Sequence, residues 1–268
     1  MRNYRKAVLS IAGSDSSGGA GIQADVKTCS ALGVYGMSVI TAITAQNTKG
    51  VSLVEDVSPQ LVAEQVKMVM DDIFPESIKI GMVSSAAIIE SVAAVLEKYP
   101  IRNLVVDPVM VSKSGYHLLS LDAECALTEV LLPLADLVTP NIPEAEVLSG
   151  MKIHSLGDME KAARKILMSG PSMVLVKGGH LSGAAKDILV SKDSVRVFQS
   201  ERIGKPNTHG TGCTLSSAIA AHLALGFQME EAVELSKRYV TEAIGHSFQI
   251  GGGIGPVHHF YQWEEHFK

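Results

Sequence analysis

The feature that most limits how this chain can fold is an alternation that runs through nearly its whole length, short apolar runs separated by longer amphipathic ones. The strands it predicts are KAVLSIAG (6–13), YGMSVITAITA (35–45), SIKIGM (77–82), NLVVDPVM (103–110), DLVTP (136–140) and SMVLVKGG (172–179). The intervening stretches read as helices. In PQLVAEQVKMVMDDIF, Leu61, Val62, Val66, Val69 and Ile73 recur at helical spacing behind a Ser58 cap and Pro59 at the first position. In HSLGDMEKAARKILMSG, Ser155 and Asp158 have capping-box spacing, with Gly170 and Pro171 to end the helix. Strand, helix, strand repeated this often implies right-handed parallel crossovers and a sheet covered on both faces, hence a three-layer α/β/α domain with a mostly parallel central sheet. KDILVSKDSVRVFQSERI (186–203) departs from the rhythm: it alternates around Lys192-Asp193 and predicts a small antiparallel hairpin near one edge. At 268 residues, with no linker, repeat or low-complexity tract, one domain over 1–268 is expected.

Composition narrows the function classes. The chain is 46% hydrophobic but only 5% aromatic, so its interior is expected to be aliphatic. A net charge of -5 with acids and bases interspersed offers neither a basic stripe for nucleic acid nor a polybasic patch for a membrane. The amino-terminal apolar run is too short to span a bilayer and carries no cleavage pattern, so a cytoplasmic location is expected. Cys29, Cys125 and Cys213 lie far apart and form no C-x-x-C pair, which points to reduced thiols rather than a disulfide framework or structural zinc.

In open parallel α/β sheets, ligands bind beyond the carboxyl ends of the strands. The segments that follow the predicted strands are small and polar: GSDSSGGAGIQAD, AQNTKG, GMVSS, DPVMVSKSG, TPNIPEAE and VKGGH. The first contains Gly19-Ala20-Gly21-Ile22-Gln23-Ala24, a literal G-x-G-x-x-A, but it begins six positions past the strand end and the next strand ends in Gln46-Asn47 rather than an acid. Gly13 and Gly18 have P-loop spacing, yet Gly19 and Ala20 stand where a P-loop needs Lys and Ser or Thr. What remains is a loop of small residues able to close on a compact ligand, leading into a helix that carries Asp25.

The second glycine-rich turn is THGTGCTLSSAIAAHLALG (208–226). Gly210, Thr211 and Gly212 precede an apolar helix whose first-turn amides lack intrahelical acceptors and so form an anion site. A phosphoryl group in transfer is such an anion, which makes the turn a candidate oxyanion hole. Cys213 at that helix start is expected to have a depressed pKa and to serve as a proton acceptor. The bland alternative is a small apolar residue packed beneath the turn.

GSDSSGGAGIQADVKT, TAQNT, KIGM, DPVM with SKSG, TPN with Glu144, VKGGH and HGTGCTLS occur in order from about Lys6 to Gly253. Together they resemble the hydroxymethylpyrimidine and phosphomethylpyrimidine kinases of thiamin biosynthesis, in the ribokinase superfamily. Most of that superfamily carries an aspartate as general base where this chain has Cys213; the pyrimidine and some pyridoxal members carry cysteine.

The resemblance implies ATP and Mg²⁺ as cofactors, a pyrimidine alcohol as acceptor and a homodimer. It implies that the amides of Thr211, Gly212 and Cys213 hold the phosphoryl group, and that Gln46 binds the aminopyrimidine edge. Gly13, Ala20, Asp25, Met82 and Val109 match positions around the same ring, with Met82 and Val109 sandwiching it. Asn141 and Glu144 form the N-x-x-E element linked to Mg²⁺ and phosphate, Asp107 is a second metal-linked acid, and Lys177 meets the ATP phosphates. SKSGYHLL (112–119) resembles the family's flap. Ser112, where the cysteine-bearing pyridoxal kinases carry a flap cysteine, and the inserted Ser114 favour a pyrimidine over pyridoxal. A pyridoxal kinase of the cysteine-bearing branch and a non-catalytic ligand-binding domain on the same scaffold are the alternatives.

Overall fold

The computed structural model describes residues 6–110, 119–179 and 185–267. Nine strands among these residues form one sheet: β1 (Ala7–Asp15), β2 (Tyr35–Asn47), β3 (Gly50–Asp56), β4 (Ser77–Ile80), β5 (Leu104–Val106), β6 (Leu137–Val138), β7 (Met173–Lys177), β8 (Ala185–Ser191) and β9 (Val195–Ser200). Their order is β3-β2-β1-β4-β5-β6-β7-β8-β9. The six from β2 to β7 run parallel, while β3 on one side and β8 and β9 on the other are antiparallel to their neighbours. The chain leaves β1 toward β2 and returns to its other side at β4, so the strand order reverses beside β1.

Among the described residues eight α-helices cover the sheet: α1 (Gly21–Ala31), α2 (Pro59–Asp72), α3 (Ala86–Leu96), α4 (Leu121–Ala126), α5 (Ile142–Ser149), α6 (Leu156–Leu167), α7 (Thr211–Ala224) and α8 (Met229–Gly245). Two cores result. Val62 and Val66 of α2, Ile88 and Val92 of α3 and Met159 and Ile166 of α6 pack with Leu9, Ile11, Ile78 and Val106 on one face. Cys29 of α1, Ile219 of α7 and Val233 of α8 pack with Val8, Val105 and Leu175 on the other. This is the expected three-layer arrangement, because strands sandwiched on both faces bury successive side chains in opposite layers.

Local expectations hold where capping chemistry set them. Ser58 accepts from the Leu61 amide at the start of α2, Ser155 accepts from Asp158 at the start of α6, and Gly170 adopts a φ of +107° beyond its end. The buried stripe of α2 is Val62, Val66 and Met70. Leu61 and Ile73, expected in that stripe, are exposed at 55% and 42%. The predicted hairpin is β8–β9, turning at 192–194. β3 was not among the predicted strands: GVSLVED is half exposed, and as a solvated edge strand it lacks the continuous apolar run of the buried ones.

Among the described residues no helix is long and apolar enough to cross a membrane, and Cys29, Cys125 and Cys213 are free thiols. Most of the flap stretch, with Ser112 and Ser114, lies outside the described residues, as does His180 of VKGGH.

Candidate active site

Because β1, β2 and β4 to β7 are parallel, their carboxyl ends share one edge of the sheet, and the amino end of α7 arrives there between two loops. Gly210 caps α7 with a φ of +80°, and a Cβ on it would collide with the Gly19 carbonyl oxygen. Only glycine fits both demands. On the other side of the turn, a Cβ on Gly212 would lie 3.6 Å from both Asp107 Oδ2 and Lys177 Nζ. The helix starts at Thr211 rather than at Cys213. The Thr211 amide is directed back to the Thr208 carbonyl at 3.4 Å, and its hydroxyl donates to the same oxygen at 2.8 Å. The expected three-amide cradle is therefore reduced: the first-turn amides left to meet an anion are those of Gly212 and Cys213.

Asp107, just past β5, is buried at 2% exposure. It accepts from Lys177 Nζ at 2.8 Å and from Thr139 Oγ1 at 3.1 Å through one oxygen, and from Ser216 Oγ at 3.3 Å through the other. Burial by itself raises its pKa, but Lys177 and Lys79 outweigh this and hold the carboxyl below its usual range. Lys177 gains the reciprocal benefit: burial works against its charge, yet Asp107 and Glu144 raise its pKa.

Asn141 and Glu144 form a complete capping box on α5, with Glu144 N donating to Asn141 Oδ1 at 2.9 Å and Asn141 N donating to Glu144 Oε2 at 2.8 Å. The box fixes Glu144 near Lys177, and burial pushes its carboxyl up to about 7 despite that lysine. Among the described residues no group of three or more His, Cys, Asp or Glu side chains forms a metal cage. Two buried acids are nevertheless the donor set that suits Mg²⁺, which keeps waters and takes further oxygens from substrate phosphates.

At the β1 and β2 end, Gln46 is half-buried. Its amide lies between Thr44 Oγ1 at 3.2 Å and His209 Nε2 at 3.4 Å. Gly13 meets Met82, whose Sδ lies 2.9 Å from where a Gly13 Cβ would stand. Val109 is half-buried and its amide donates to the Asp107 carbonyl. The Ala20 amide donates to Asp15 Oδ2 at 2.8 Å.

Two expectations are corrected. Asp25 is fully buried and cannot line a ligand pocket; its carboxylate accepts from Ser10 at 2.6 Å, Lys79 at 2.8 Å and Ser217 at 2.6 Å. It anchors α1 to β1, β4 and α7 instead. The Cys213 thiol is not depressed. Burial pushes it up to about 11, and the nearby Asp25 and Asp107 add to this against the pull of Lys79 and the Gly21 amide. Two helix amino ends meet at this sulfur, but desolvation and two carboxylates outweigh them.

Three residues not singled out by the sequence adjoin Gln46, directly or through one another. Asp15, the last residue of β1, accepts from the Ser17, Gly19 and Ala20 amides and pairs with His209 at 2.8 Å. Burial pushes its carboxyl up, but His209 and Ser17 outweigh this and bring it to about 2. His209 and Thr44 complete the set. All three stood inside motifs already singled out, GSDSS, HGTGC and TAQNT.

The phosphomethylpyrimidine kinase family model matches residues 15–258. The hydroxymethylpyrimidine/phosphomethylpyrimidine kinase of Rhizobium meliloti is 53% identical over 95% of this chain and 97% of its own length. The thiamine biosynthesis bifunctional protein of Geobacter sulfurreducens is 51% identical over 97% of this chain but 54% of its own length, so the chain spans about half of that relative. Among solved structures, the phosphomethylpyrimidine kinase of Clostridium difficile superposes with a TM-score of 0.81 at 56% identity, covering 90% of this chain and all of that one. The pyridoxal kinase of Staphylococcus aureus in complex with AMP-PCP and pyridoxal gives a TM-score of 0.89 at 36% identity over 97% and 95% of the two chains. With the expected α/β/α kinase fold and the turn around Cys213 both in place, the chain belongs to the phosphomethylpyrimidine kinase family.

Proposed function

We propose that this enzyme uses ATP and Mg²⁺ to phosphorylate 4-amino-5-hydroxymethyl-2-methylpyrimidine and then its monophosphate. The observation that carries the proposal is the convergence of Gly212 at the start of α7 with the Asp107–Lys177 pair. It sets donor amides, a cation and a buried acid around one point on the sheet edge, which is what stabilising a phosphoryl group in transfer requires.

In this reading Lys177 meets the nucleotide phosphates, and Asn141 orders the same end through its cap on Glu144. Glu144 and Asp107 are the residues that would hold Mg²⁺, which when bound would supply charge neutralisation at the phosphates. The Gly212 and Cys213 amides receive the phosphoryl oxygens, with Gly210 and Thr211 shaping the turn. Gln46 reads the amino and ring-nitrogen edge of the pyrimidine, Gly13 and Ala20 let the backbone close on it, and Met82 and Val109 flank the ring. Cys213 takes the hydroxyl proton, drawing on the small thiolate fraction that a raised pKa allows.

A homodimer is part of the proposal. Ile43 and Leu53 stand on one face of the β2–β3 hairpin at 59% and 63% exposure, an apolar strip suited to a second copy.

A coupled ATP-consumption assay with the hydroxymethylpyrimidine, with pyridoxal and with no acceptor tests the function. Higher kcat/KM for the pyrimidine is expected. Comparable or better efficiency on pyridoxal would overturn the substrate assignment, and no acceptor-dependent consumption would leave the non-catalytic alternative.

A further inference from the structure

The hydrogen-bond chemistry around Gln46 is over-determined, and it fixes more than contact. His209 Nε2 lies 2.8 Å from Asp15 Oδ2 and 3.4 Å from Gln46 Nε2. Thr44 Oγ1 lies 2.9 Å from the Ser14 carbonyl and 3.2 Å from Gln46 Oε1. A ring nitrogen facing a carboxylate must carry its proton, so His209 Nε2 is a donor, and a carboxamide nitrogen facing it is a second donor. The Thr44 hydroxyl has one proton; given to the Ser14 carbonyl, it leaves a lone pair facing Gln46 Oε1, acceptor against acceptor. A half-turn of the carboxamide exchanges its oxygen and nitrogen without changing its shape: Nε2 then donates to the Thr44 lone pair, and the donor–donor clash at His209 becomes an acceptor facing an N–H that Asp15 already holds.

We propose that Asp15, His209 and Thr44 lock the polarity of the Gln46 carboxamide, with Oε1 toward His209 and Nε2 toward Thr44, and so determine which way round the acceptor ring docks. This rests on the reading that Gln46 faces the pyrimidine. One N–H of the amide is then taken by Thr44 and one lone pair faces the His209 N–H; the other lone pair and N–H lie side by side on its free edge. A ring with an amino group beside an unprotonated ring nitrogen pairs with that edge in one sense only, amino to Oε1 and ring nitrogen to Nε2. The amino group therefore lies on the His209 side. In the proposed acceptor the hydroxymethyl carbon is attached next to the amino carbon, on the side away from that ring nitrogen. The lock thus turns the hydroxymethyl toward His209, whose chain continues directly into Gly210, Thr211, Gly212 and Cys213. The opposite polarity would present the methyl-bearing side instead. Asp15 and His209 act here as positioning residues, since they work through Gln46.

The test compares the 4-amino substrate with its 4-oxo analogue, in which the ring nitrogen carries hydrogen and the donor and acceptor are exchanged. The parent enzyme is expected to discriminate against the oxo compound. Thr44→Val and His209→Asn free the amide to rotate, and should narrow the ratio of kcat/KM values by about ten- to hundredfold, the worth of one or two buried hydrogen bonds. In Thr44→Val the narrowing should come mainly from a gain on the oxo compound; a merely structural role would depress both substrates equally. If Gln46→Ala leaves discrimination unchanged, Gln46 does not face the ring and the underlying reading fails. If Gln46→Ala abolishes discrimination while Thr44→Val and His209→Asn retain it in full, the lock is overturned. Nitrogen-15 NMR of the parent enzyme gives a check independent of variants: His209 Nε2 should carry the ring hydrogen, and an unprotonated Nε2 overturns the proposal.

Discussion

Lys177 Nζ and Asp107 Oδ1 are 2.8 Å apart, with the two side chains only 14% and 2% exposed, so each charge depends on the other for its ionisation. Removing one partner of such a pair leaves the other charge buried. Lys177→Ala is expected to lower stability by about 3 kcal/mol in chemical denaturation, and to abolish most turnover. Glu144→Ala should raise KM for ATP as well. Acceptor preference should stay as in the parent enzyme for both, because in the proposed arrangement both serve the nucleotide end. A changed ratio of pyrimidine to pyridoxal turnover would move them to the acceptor end of the site.

Gly212 offers a test in which activity and stability separate. A methyl group there meets Asp107 and Lys177 at 3.6 Å, an ordinary contact, so the fold should tolerate Gly212→Ala and even gain up to about 1 kcal/mol of helix propensity. The same methyl occupies the approach to the first-turn amides. Single-turnover phosphorylation should fall by about 10²-fold, the worth of one positioned anion donor, while thermal melts hold or rise. Unchanged turnover would show that the phosphoryl group does not pass over this turn.

The protein's plan was legible in its sequence because periodicity reports burial. Strands such as LVV of β5 are wholly buried and stand out as apolar runs; β3, half exposed, does not. Caps were legible for a related reason, since Ser58 and Ser155 act on amides three residues away. Long-range electrostatics was not. Asp25 lies 54 residues from Lys79 and 192 from Ser217, and no local pattern announces that a helix carboxylate will be taken up from below rather than face a ligand. The Cys213 pKa eluded the sequence likewise, because the helix start is local whereas Asp25, Lys79 and Asp107, which surround the thiol, come from three other elements. His209 and Asp15 were visible as letters in two motifs; their pairing across 194 positions was not.

His259 makes stability depend on pH. It is 5% exposed and its Nε2 lies 3.1 Å from the Thr214 hydroxyl of α7. Burial, with Lys27 and His258 nearby, brings its pKa down from 6.5 to about 4. The folded protein therefore disfavours protonation that the unfolded chain accepts. This contribution is complete above pH 6.5 and is lost as pH falls toward 4, up to about 3 kcal/mol at roughly 1.4 kcal/mol per pKa unit. Glu144, pushed up to about 7, acts in the opposite sense, its share fading as pH rises from 4.5 to 7. The readout is accordingly the difference between parent and His259→Gln in urea denaturation at pH 7 and pH 4.5. The difference should shrink or reverse toward the acid end; a constant gap would show that His259 titrates normally in the fold.

Cys213 gives the sharpest test of the chemistry. With its thiol pushed up to about 11, only about one molecule in 10⁴ carries the thiolate at pH 7. If that thiolate accepts the hydroxyl proton, single-turnover phosphorylation should rise close to tenfold per pH unit between 7 and 9. Cys213→Ala should leave acceptor binding intact, lower the rate by about 10²–10⁴-fold and flatten that slope, the behaviour of a lost general base. Cys213→Ser should be nearly as slow, since a hydroxyl in the same surroundings holds its proton more tightly still. Cys213→Asp should recover part of the rate, because a carboxylate is ionised at neutral pH, although burial near Asp25 and Asp107 will raise its pKa too. A packing role predicts the reverse order, with Ala and Ser tolerated and Asp most damaging. Thermal melts on all four proteins separate misfolding from lost chemistry. A pH-independent parent rate together with a fully active Ser variant would remove the proton from this thiol and leave the amides of Gly212 and Cys213, with Lys177, as the catalytic elements of the turn.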